Sequence, residues 1–309
     1  MSGPEKMSGV LAPVITPFKA DLSVDADRLV RQCRWLLERD CGLAVFGTNS
    51  EANSLSVEEK IDLLDALAGA GLDTARMMPG TGACAIPDTV RLTRHAVKLG
   101  CSGVLMLPPF YYKGVSDEGL FRAYSEVIQR VGDARLRIYL YHFPALSGVP
   151  IGLDLIERLV GEYPDQVVGI KDSSGDWSNM EAMLARFPDF AMFSGTEALL
   201  LKNMRQGGAG CISATANINP AAIAALAANW QAPDAQARQD EMNALRMIFQ
   251  ALPLIPAMKA AVAHYSGDAM WERVRPPLVE LSAAEKSGLL AELERLGFEM
   301  PGLAETQAA

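Results

Sequence analysis

The chain has 309 residues, half of them hydrophobic, with 28 basic against 37 acidic side chains and a net charge of −9. An acidic composition without a basic run argues against nucleic acid as a partner, no apolar stretch is long enough for a membrane span, and no basic-then-apolar leader opens the chain. Cysteines at 33, 41, 84, 101 and 211 have no Cys-x-x-Cys spacing and histidines at 95, 142 and 264 form no metal-spaced cluster, so the expectation is a cytoplasmic protein with reduced thiols and no metal.

Residues 1–8 read as a loose terminus. Gly9 to Phe18 is an apolar run closed by Thr16-Pro17, which predicts a first strand and its exit loop. Asp25 to Arg39 has helical periodicity, with Leu29, Val30, Cys33, Leu36 and Leu37 on one stripe. Gly42 to Phe46 predicts a second strand that runs into Gly47-Thr48-Asn49-Ser50-Glu51. Ser56 with Glu59 three positions on is a capping box, so a helix starts there. Arg76 to Pro79 predicts a third strand, and Pro87 opens a helix that runs to Leu99.

The alternation continues with a strand at Gly103 to Leu107, ending in Pro108-Pro109-Phe110-Tyr111-Tyr112, and a helix at Asp117 to Arg130. A strand at Leu136 to Tyr141 ends in His142-Phe143-Pro144, and a helix covers Leu153 to Val160. Val167 to Ile170 is a short β-branched strand followed by Lys171 and the turn cluster Asp172-Ser173-Ser174-Gly175. Helices at Trp177 to Phe187, Glu197 to Arg205 and Pro220 to Trp230 bracket strands at Phe190 to Phe193 and Gly210 to Ser213. Eight strand–helix units in alternation predict an α/β fold of the (β/α)8 TIM barrel type over residues 1–230. Residues 231–309 carry helical patterns at Ala235 to Ala251, Pro256 to Tyr265 and Ser282 to Leu296, and read as a C-terminal helical appendage. A doubly wound open sheet fits less well, because no Gly-x-Gly-x-x-Gly opens the first helix.

In such barrels the site lies at the carboxyl ends of the strands. There the sequence places Thr16, Thr48, Asn49, Tyr112, Tyr141, Lys171, Gly195 and Ile212. Lysine is seldom buried. At the end of a buried strand an ammonium loses water, which favours the neutral amine, a nucleophile for carbonyl carbon that leads to a Schiff base. The plain alternative is a lysine whose stem reaches past the strand end to solvent. Tyrosine phenols and a threonine hydroxyl supply the proton traffic such chemistry requires, although each is also an ordinary residue of strand ends and turns.

These motifs resemble the dihydrodipicolinate synthase / N-acetylneuraminate lyase family of Schiff-base, pyruvate-dependent aldolases. The resemblance rests on Pro13-Val14-Ile15-Thr16-Pro17-Phe18, the Gly47 to Glu51 loop, Pro79-Gly80-Thr81-Gly82, Pro108 to Tyr112, Tyr141 to Pro144, Gly169-Ile170-Lys171-Asp172 and Gly208 to Asn217. It implies that Lys171 forms the imine with pyruvate or another 2-keto acid, with no separate cofactor. Tyr141 would be the general acid/base, Thr48 the relay hydroxyl, and Tyr112 the relay tyrosine that enters the site of a neighbouring subunit. The Thr48-Asn49 loop would bind the keto-acid carboxylate through backbone N–H groups, and Gly195 and Ile212 would line the pocket. An aldehyde is the implied second substrate, and the assembly a homo-oligomer, dimer or tetramer, with homotetramer the family habit.

Six positions depart from the family pattern. In the synthase an arginine two residues after the proline of Tyr-x-x-Pro binds a carboxylate of aspartate semialdehyde; here that substrate-contact position is Leu146, which cannot pair with one. Asn49 resembles the 4-hydroxy-2-oxoglutarate aldolase branch. Ser50 replaces a glycine that admits unusual backbone angles, and His142 stands where asparagine is common and reads as a packed, neutral, hydrogen-bonded histidine. Lys60 and Cys84 replace polar residues that bind feedback lysine in the bacterial synthase. The expected activity is a lyase that cleaves a 2-keto acid to pyruvate and an aldehyde, or condenses them. A 4-hydroxy-tetrahydrodipicolinate synthase, a dehydratase of 2-keto-3-deoxy sugar acids and a silent keto-acid-binding barrel remain the alternatives.

Overall fold

The computed structural model describes residues 6–308, so the first five residues of the expected loose terminus lie outside the described residues. Among the described residues seven strands are present: β1 (Gly9–Ala12), β2 (Gly42–Leu43), β3 (Val104–Met106), β4 (Ile138–His142), β5 (Val167–Asp172), β6 (Ala191–Ser194) and β7 (Gly210–Ile212). Helices alternate with them, and the registered strand pairs are parallel. The chain divides into two compact units, one of residues 73–212 with the N-terminal residues through Gly9, the other of Val10–Leu72 and Ser213–Ala309.

The first unit carries the run β3-β4-β5-β6-β7. Its helices, among them Ile86–Lys98, Asp117–Val131, Leu153–Glu162 and Trp177–Arg186, lay apolar stripes on the sheet. Helix ends are specified locally. Ser116 accepts from the Gly119 N–H at 3.2 Å to start the 117–131 helix, and Gly132 ends it in the left-handed region at φ 63°.

The strand expected at Arg76 to Pro79 takes a different form. Thr74–Arg76 is a 3-10 turn, capped by Asp73, whose carboxylate accepts from the Ala75 N–H at 3.0 Å. Extended chain follows, with the Leu105 N–H donating to Pro79 O at 2.9 Å and the Thr81 N–H to Leu105 O at 3.0 Å. Pro79 has no N–H to give, so pairing with β3 shrinks to one bridge at Gly80. Proline also shortens β1, which stops at Ala12 before Pro13.

One aromatic ring explains two glycines. Tyr139, fully buried on β4, fills the space that side chains at Gly103 and Gly169 would take, and its hydroxyl accepts from the Met7 N–H at 2.7 Å. A Cβ at Gly169 would sit 2.5 Å from Tyr139 Cδ1 and 2.5 Å from Ala191 O, so β5 can run between β4 and β6 only without a side chain there.

The second unit holds β1 beside β2, with helices at Ala26–Leu37, Val57–Gly69 and Pro220–Ala228. The capping box forms as expected, with the Ser56 N–H donating to Glu59 Oε2 at 2.9 Å and Ser56 Oγ accepting from the Glu59 N–H at 3.1 Å. Beyond residue 231 come helices at Ala235–Gln250, Leu254–Ser266, Ala283–Arg295 and Leu303–Ala308, and no strand among the described residues. Trp35, Phe249, Met258, Trp271 and Leu293 are fully buried in this unit. Among the described residues no single helix is long and apolar enough to cross a membrane, and none of the five cysteines forms a disulfide.

Gly169→Ala is expected to destabilise the fold by roughly 1–3 kcal/mol, the range for an overpacked core. Urea unfolding measures it, and an unchanged midpoint would contradict the tight fit around Tyr139.

Candidate active site

Lys171 is the fifth residue of β5 and 2 % exposed, although lysine is the costliest kind of side chain to strip of water. Its register partner on β4 is Tyr141, itself 3 % exposed, and parallel pairing points both side chains to the same face. The ammonium donates to the Tyr141 hydroxyl at 3.2 Å and lies 4.2 Å from the centre of its ring. The lysine therefore meets a phenol, and the alternative of a stem reaching solvent does not hold. An amine and a phenol in hydrogen-bond contact can exchange a proton with each other and with a substrate atom between them.

The turn after β5 holds the strand end still. One carboxylate oxygen of Asp172 accepts from the Ser174 N–H at 2.7 Å and from its hydroxyl at 2.5 Å, while the other accepts from Asn179 Nδ2 at 2.8 Å. Ser174 Oγ in turn accepts from the Asp176 N–H at 3.0 Å. Gly195 donates its N–H to Asp172 O at 2.6 Å, and a Cβ there would lie 2.7 Å from Ser173 Cα. Glycine thus allows the exits of β5 and β6 to touch. Ile212 ends β7 and is fully buried.

The segment after β4 forms a short helix, Pro144–Ser147, where the sequence suggested plain loop. Leu146 lies on it, 64 % exposed. Phe143 stacks on Tyr141 with ring centres 5.8 Å apart and planes 27° apart. His142, 6 % exposed, accepts the Ile151 N–H on Nδ1 at 3.0 Å. Burial holds this imidazole below the ordinary histidine range, against the opposing pull of Asp172, so it is neutral with its proton on Nε2. Tyr112 is 74 % exposed and packs edge-on against Tyr111 at 5.3 Å, away from the Lys171 contact. Lys113 next to it donates to Ser147 O at 2.6 Å.

Thr48 and Asn49 belong to the second unit and are half-buried. They open a 3-10 turn, Thr48–Ser50. Ser50 does not take up the unusual backbone angle; the left-handed residues here are Phe46 at φ 62° and Glu51 at φ 55°. Ser50 instead closes the turn, its Oγ accepting from the Gly47 N–H at 3.2 Å and its carbonyl from Thr16 Oγ1 at 2.7 Å. Thr16 is thereby a strut of the turn. Asn217 braces the same stretch, accepting from the Ile15 N–H at 3.0 Å and donating to Pro13 O at 3.1 Å.

Sequence reasoning missed the group that anchors this turn. Glu51 is ion-paired with Lys259, and both side chains are fully buried. Lys259 also donates to Arg273 O at 2.6 Å, and the Arg275 N–H donates to the second Glu51 oxygen at 2.8 Å. Burial pushes the Lys259 ammonium down to about 8, with Glu51 resisting. Glutamate beside the turn motif was a visible signal, but its partner lies 208 residues away. Among the described residues no group of three His, Cys, Asp or Glu side chains is placed to hold a metal.

The dihydrodipicolinate synthetase family model matches residues 6–296. An uncharacterised DapA-like lyase of Chloroflexus aurantiacus is 33% identical over 291 residues, covering 93% of this chain and 96% of its own. The crystal structure of dihydrodipicolinate synthase from Agrobacterium tumefaciens superposes with a TM-score of 0.86 at 32% identity, over 93% of this chain and 99% of that one. YagE, a prophage protein of the same family from E. coli K12, solved in complex with pyruvate, superposes with a TM-score of 0.85 at 25% identity, over 94% and 99% of the two chains.

Lys259→Met leaves Glu51 charged and buried, and should cost about 3–5 kcal/mol in chemical denaturation. The double variant Lys259→Met/Glu51→Gln removes both charges, and the expected loss is less than half of that. Equal losses in the two variants would show that the pair carries no coupling.

Proposed function

The chain belongs to the dihydrodipicolinate synthetase family, and on that premise we propose that it is a Schiff-base lyase that cleaves a 2-keto acid to pyruvate and an aldehyde, or condenses the two. The observation that carries this reading is the buried contact between Lys171 and Tyr141, 3.2 Å from nitrogen to oxygen. Relatives of this family are lyases and aldolases, and the pyruvate-bound YagE structure supports a keto acid as the common substrate half.

In the cleavage direction the Lys171 amine attacks the C2 carbonyl of the keto acid, and the carbinolamine loses water to give the iminium. Tyr141, having given its own proton to the water that leaves the carbinolamine, takes the proton of the C4 hydroxyl as the C3–C4 bond breaks. The aldehyde leaves, and the bonding electrons remain as an enamine. Protonation at C3 and attack of water on C2 then release pyruvate and the free amine. The cycle needs no separate cofactor and no metal, because the iminium nitrogen is the electron sink.

The other roles follow the family resemblance. Thr48 is the relay hydroxyl, the Thr48-Asn49 turn receives the keto-acid carboxylate, and Gly195 and Ile212 line the pocket. Tyr112 serves the site of a second copy, and the exposure of Tyr111 and Tyr112 at 74 % each supports a surface that a homo-oligomer, dimer or tetramer, covers. The family resemblance also carries the expectation of a (β/α)8 barrel over residues 1–230 with a helical appendage over residues 231–309. The enzyme works in the cytoplasm, where thiols without disulfides are at home. Leu146 disfavours aspartate semialdehyde as the aldehyde, since an apolar side chain gives its carboxylate no partner.

Borohydride added with pyruvate should leave one covalent adduct, mapped to Lys171 by peptide mass spectrometry, and Lys171→Ala should show none. Tyr141→Phe should keep the adduct and lose roughly 100-fold in turnover, the scale of a lost general acid/base. A wild-type protein that captures neither pyruvate nor a longer keto acid would leave the silent barrel as the better reading.

A further inference from the structure

We infer that His142 is a positioning residue for the lyase chemistry: its neutral imidazole clamps the 143–151 segment through Nδ1, and protonation opens the clamp. The inference rests on the functional reading above and adds to it a residue and a pH limit.

His142 follows Tyr141 on β4 and is the register partner of Asp172, which follows Lys171 on β5. Because strand side chains alternate, His142 and Asp172 lie on the face opposite to Tyr141 and Lys171. On that face His142 Nδ1 is the acceptor for the Ile151 N–H at 3.0 Å, closing a loop of nine residues. The loop holds Phe143, stacked on the Tyr141 ring, and the exposed Leu146. Inside it, Ser147 Oγ accepts from the Val149 N–H at 3.1 Å, and the Ser147 hydroxyl donates to Val149 O at 3.1 Å. From outside, Lys113 donates to Ser147 O at 2.6 Å. His142 is thus the tie between this loop and the strand that carries the proposed acid/base.

The tie depends on charge state. A neutral imidazole with its proton on Nε2 offers Nδ1 as acceptor; an imidazolium has N–H at both nitrogens and would turn a donor toward the Ile151 N–H. Two charged groups face this region. Asp172 on β5 favours the imidazolium, but its carboxylate already accepts from Ser174 and Asn179. Lys113 reaches the same loop from the segment after β3, at Ser147 O. Burial is the largest influence and keeps the ring neutral at neutral pH. Acid then adds the proton, the Nδ1 bond is lost, and Phe143 no longer holds the Tyr141 ring.

Substitution separates this role from plain packing. Asparagine carries its Oδ1 on Cγ, as histidine carries Nδ1, so His142→Asn keeps an acceptor near the same place and cannot titrate. His142→Leu fills the space and offers no acceptor. The measurement is exchange of the pyruvate C3 hydrogens in deuterated water, followed by NMR from pH 5 to 8, with borohydride trapping of pyruvate at each pH. Exchange passes through the enamine and needs the proton transfer assigned to Tyr141, whereas trapping reports the imine alone.

The wild-type exchange rate per trapped imine should fall as the pH drops below the ordinary histidine range, and the His142→Asn profile should lack that fall. His142→Leu should be slower by roughly five- to ten-fold across the range, the size of one lost buried hydrogen bond. Coincident profiles for wild type and His142→Asn, with pyruvate trapped on Lys171 in both, would overturn the role of His142 and leave the lyase reading intact. Absence of trapping at every pH would instead overturn the lyase reading.

Discussion

A lysine buried at the end of β5 is the constraint to which the first unit is built. Removing an ammonium from water is costly, and the cost is tolerated only where a partner waits at hydrogen-bond distance. Tyr141 is that partner, and one register of β4 against β5 brings it there, because a slip of one residue would turn either side chain to the other face. The register is in turn secured by shape. Tyr139, two residues before Tyr141, needs the gaps left at Gly103 and Gly169. A packing arrangement without any chemistry of its own therefore sets where the amine and the phenol meet.

The strand ends show the same economy. At the exit of β5, Asp172 spends its carboxylate on Ser174 and Asn179, and Gly195 brings the exit of β6 against it. At the exit of β4, His142 and Lys113 hold the following segment by Ile151 N and Ser147 O. In the second unit the Thr48 turn is held by Thr16, Ser50 and the Glu51–Lys259 pair. In each case a polar side chain fixes the backbone beside a residue for which a role in the chemistry is proposed. Loops positioned by such ties can hold a geometry that a freely moving loop would lose.

Much of this was legible in the sequence, because local signals specify local structure. The β-branched apolar run at Val167 to Ile170, the turn cluster after Lys171 and the capping box at Ser56 mark a strand, its exit and a helix start without reference to the rest of the chain. The meeting of Lys171 and Tyr141 at adjacent strand ends was likewise legible, since a lysine following a buried apolar run is itself an anomaly. Where expectation and structure part, proline or a distant partner is responsible. Pro79 removes the donor that a full third strand requires, so a bridge remains. The short helix carrying Leu146 follows Pro144, which sets its first turn and which the sequence reading took as loop punctuation. Glu51 was visible beside the turn but its partners were not, because Lys259 and Arg275 lie more than 200 residues on.

Two fully buried lysines then raise the question of which is the nucleophile, and electrostatics alone would mislead. Lys259 is the one whose burial pushes its ammonium down to about 8, which on a general argument marks a reactive amine. Its surroundings say otherwise. The carboxylate of Glu51 and the carbonyl of Arg273 both accept from its nitrogen, so the group is held as an ammonium donor with no lone pair to offer. Lys171 has a phenol for its partner, and a phenol can accept a hydrogen bond from the amine or donate one to it. The neutral amine keeps a hydrogen-bonded place at Lys171, whereas at Lys259 the loss of a proton would leave a carboxylate buried beside an uncharged nitrogen. The partner, carboxylate in one case and hydroxyl in the other, is therefore what separates the two lysines, and it is the reason the proposed nucleophile is Lys171.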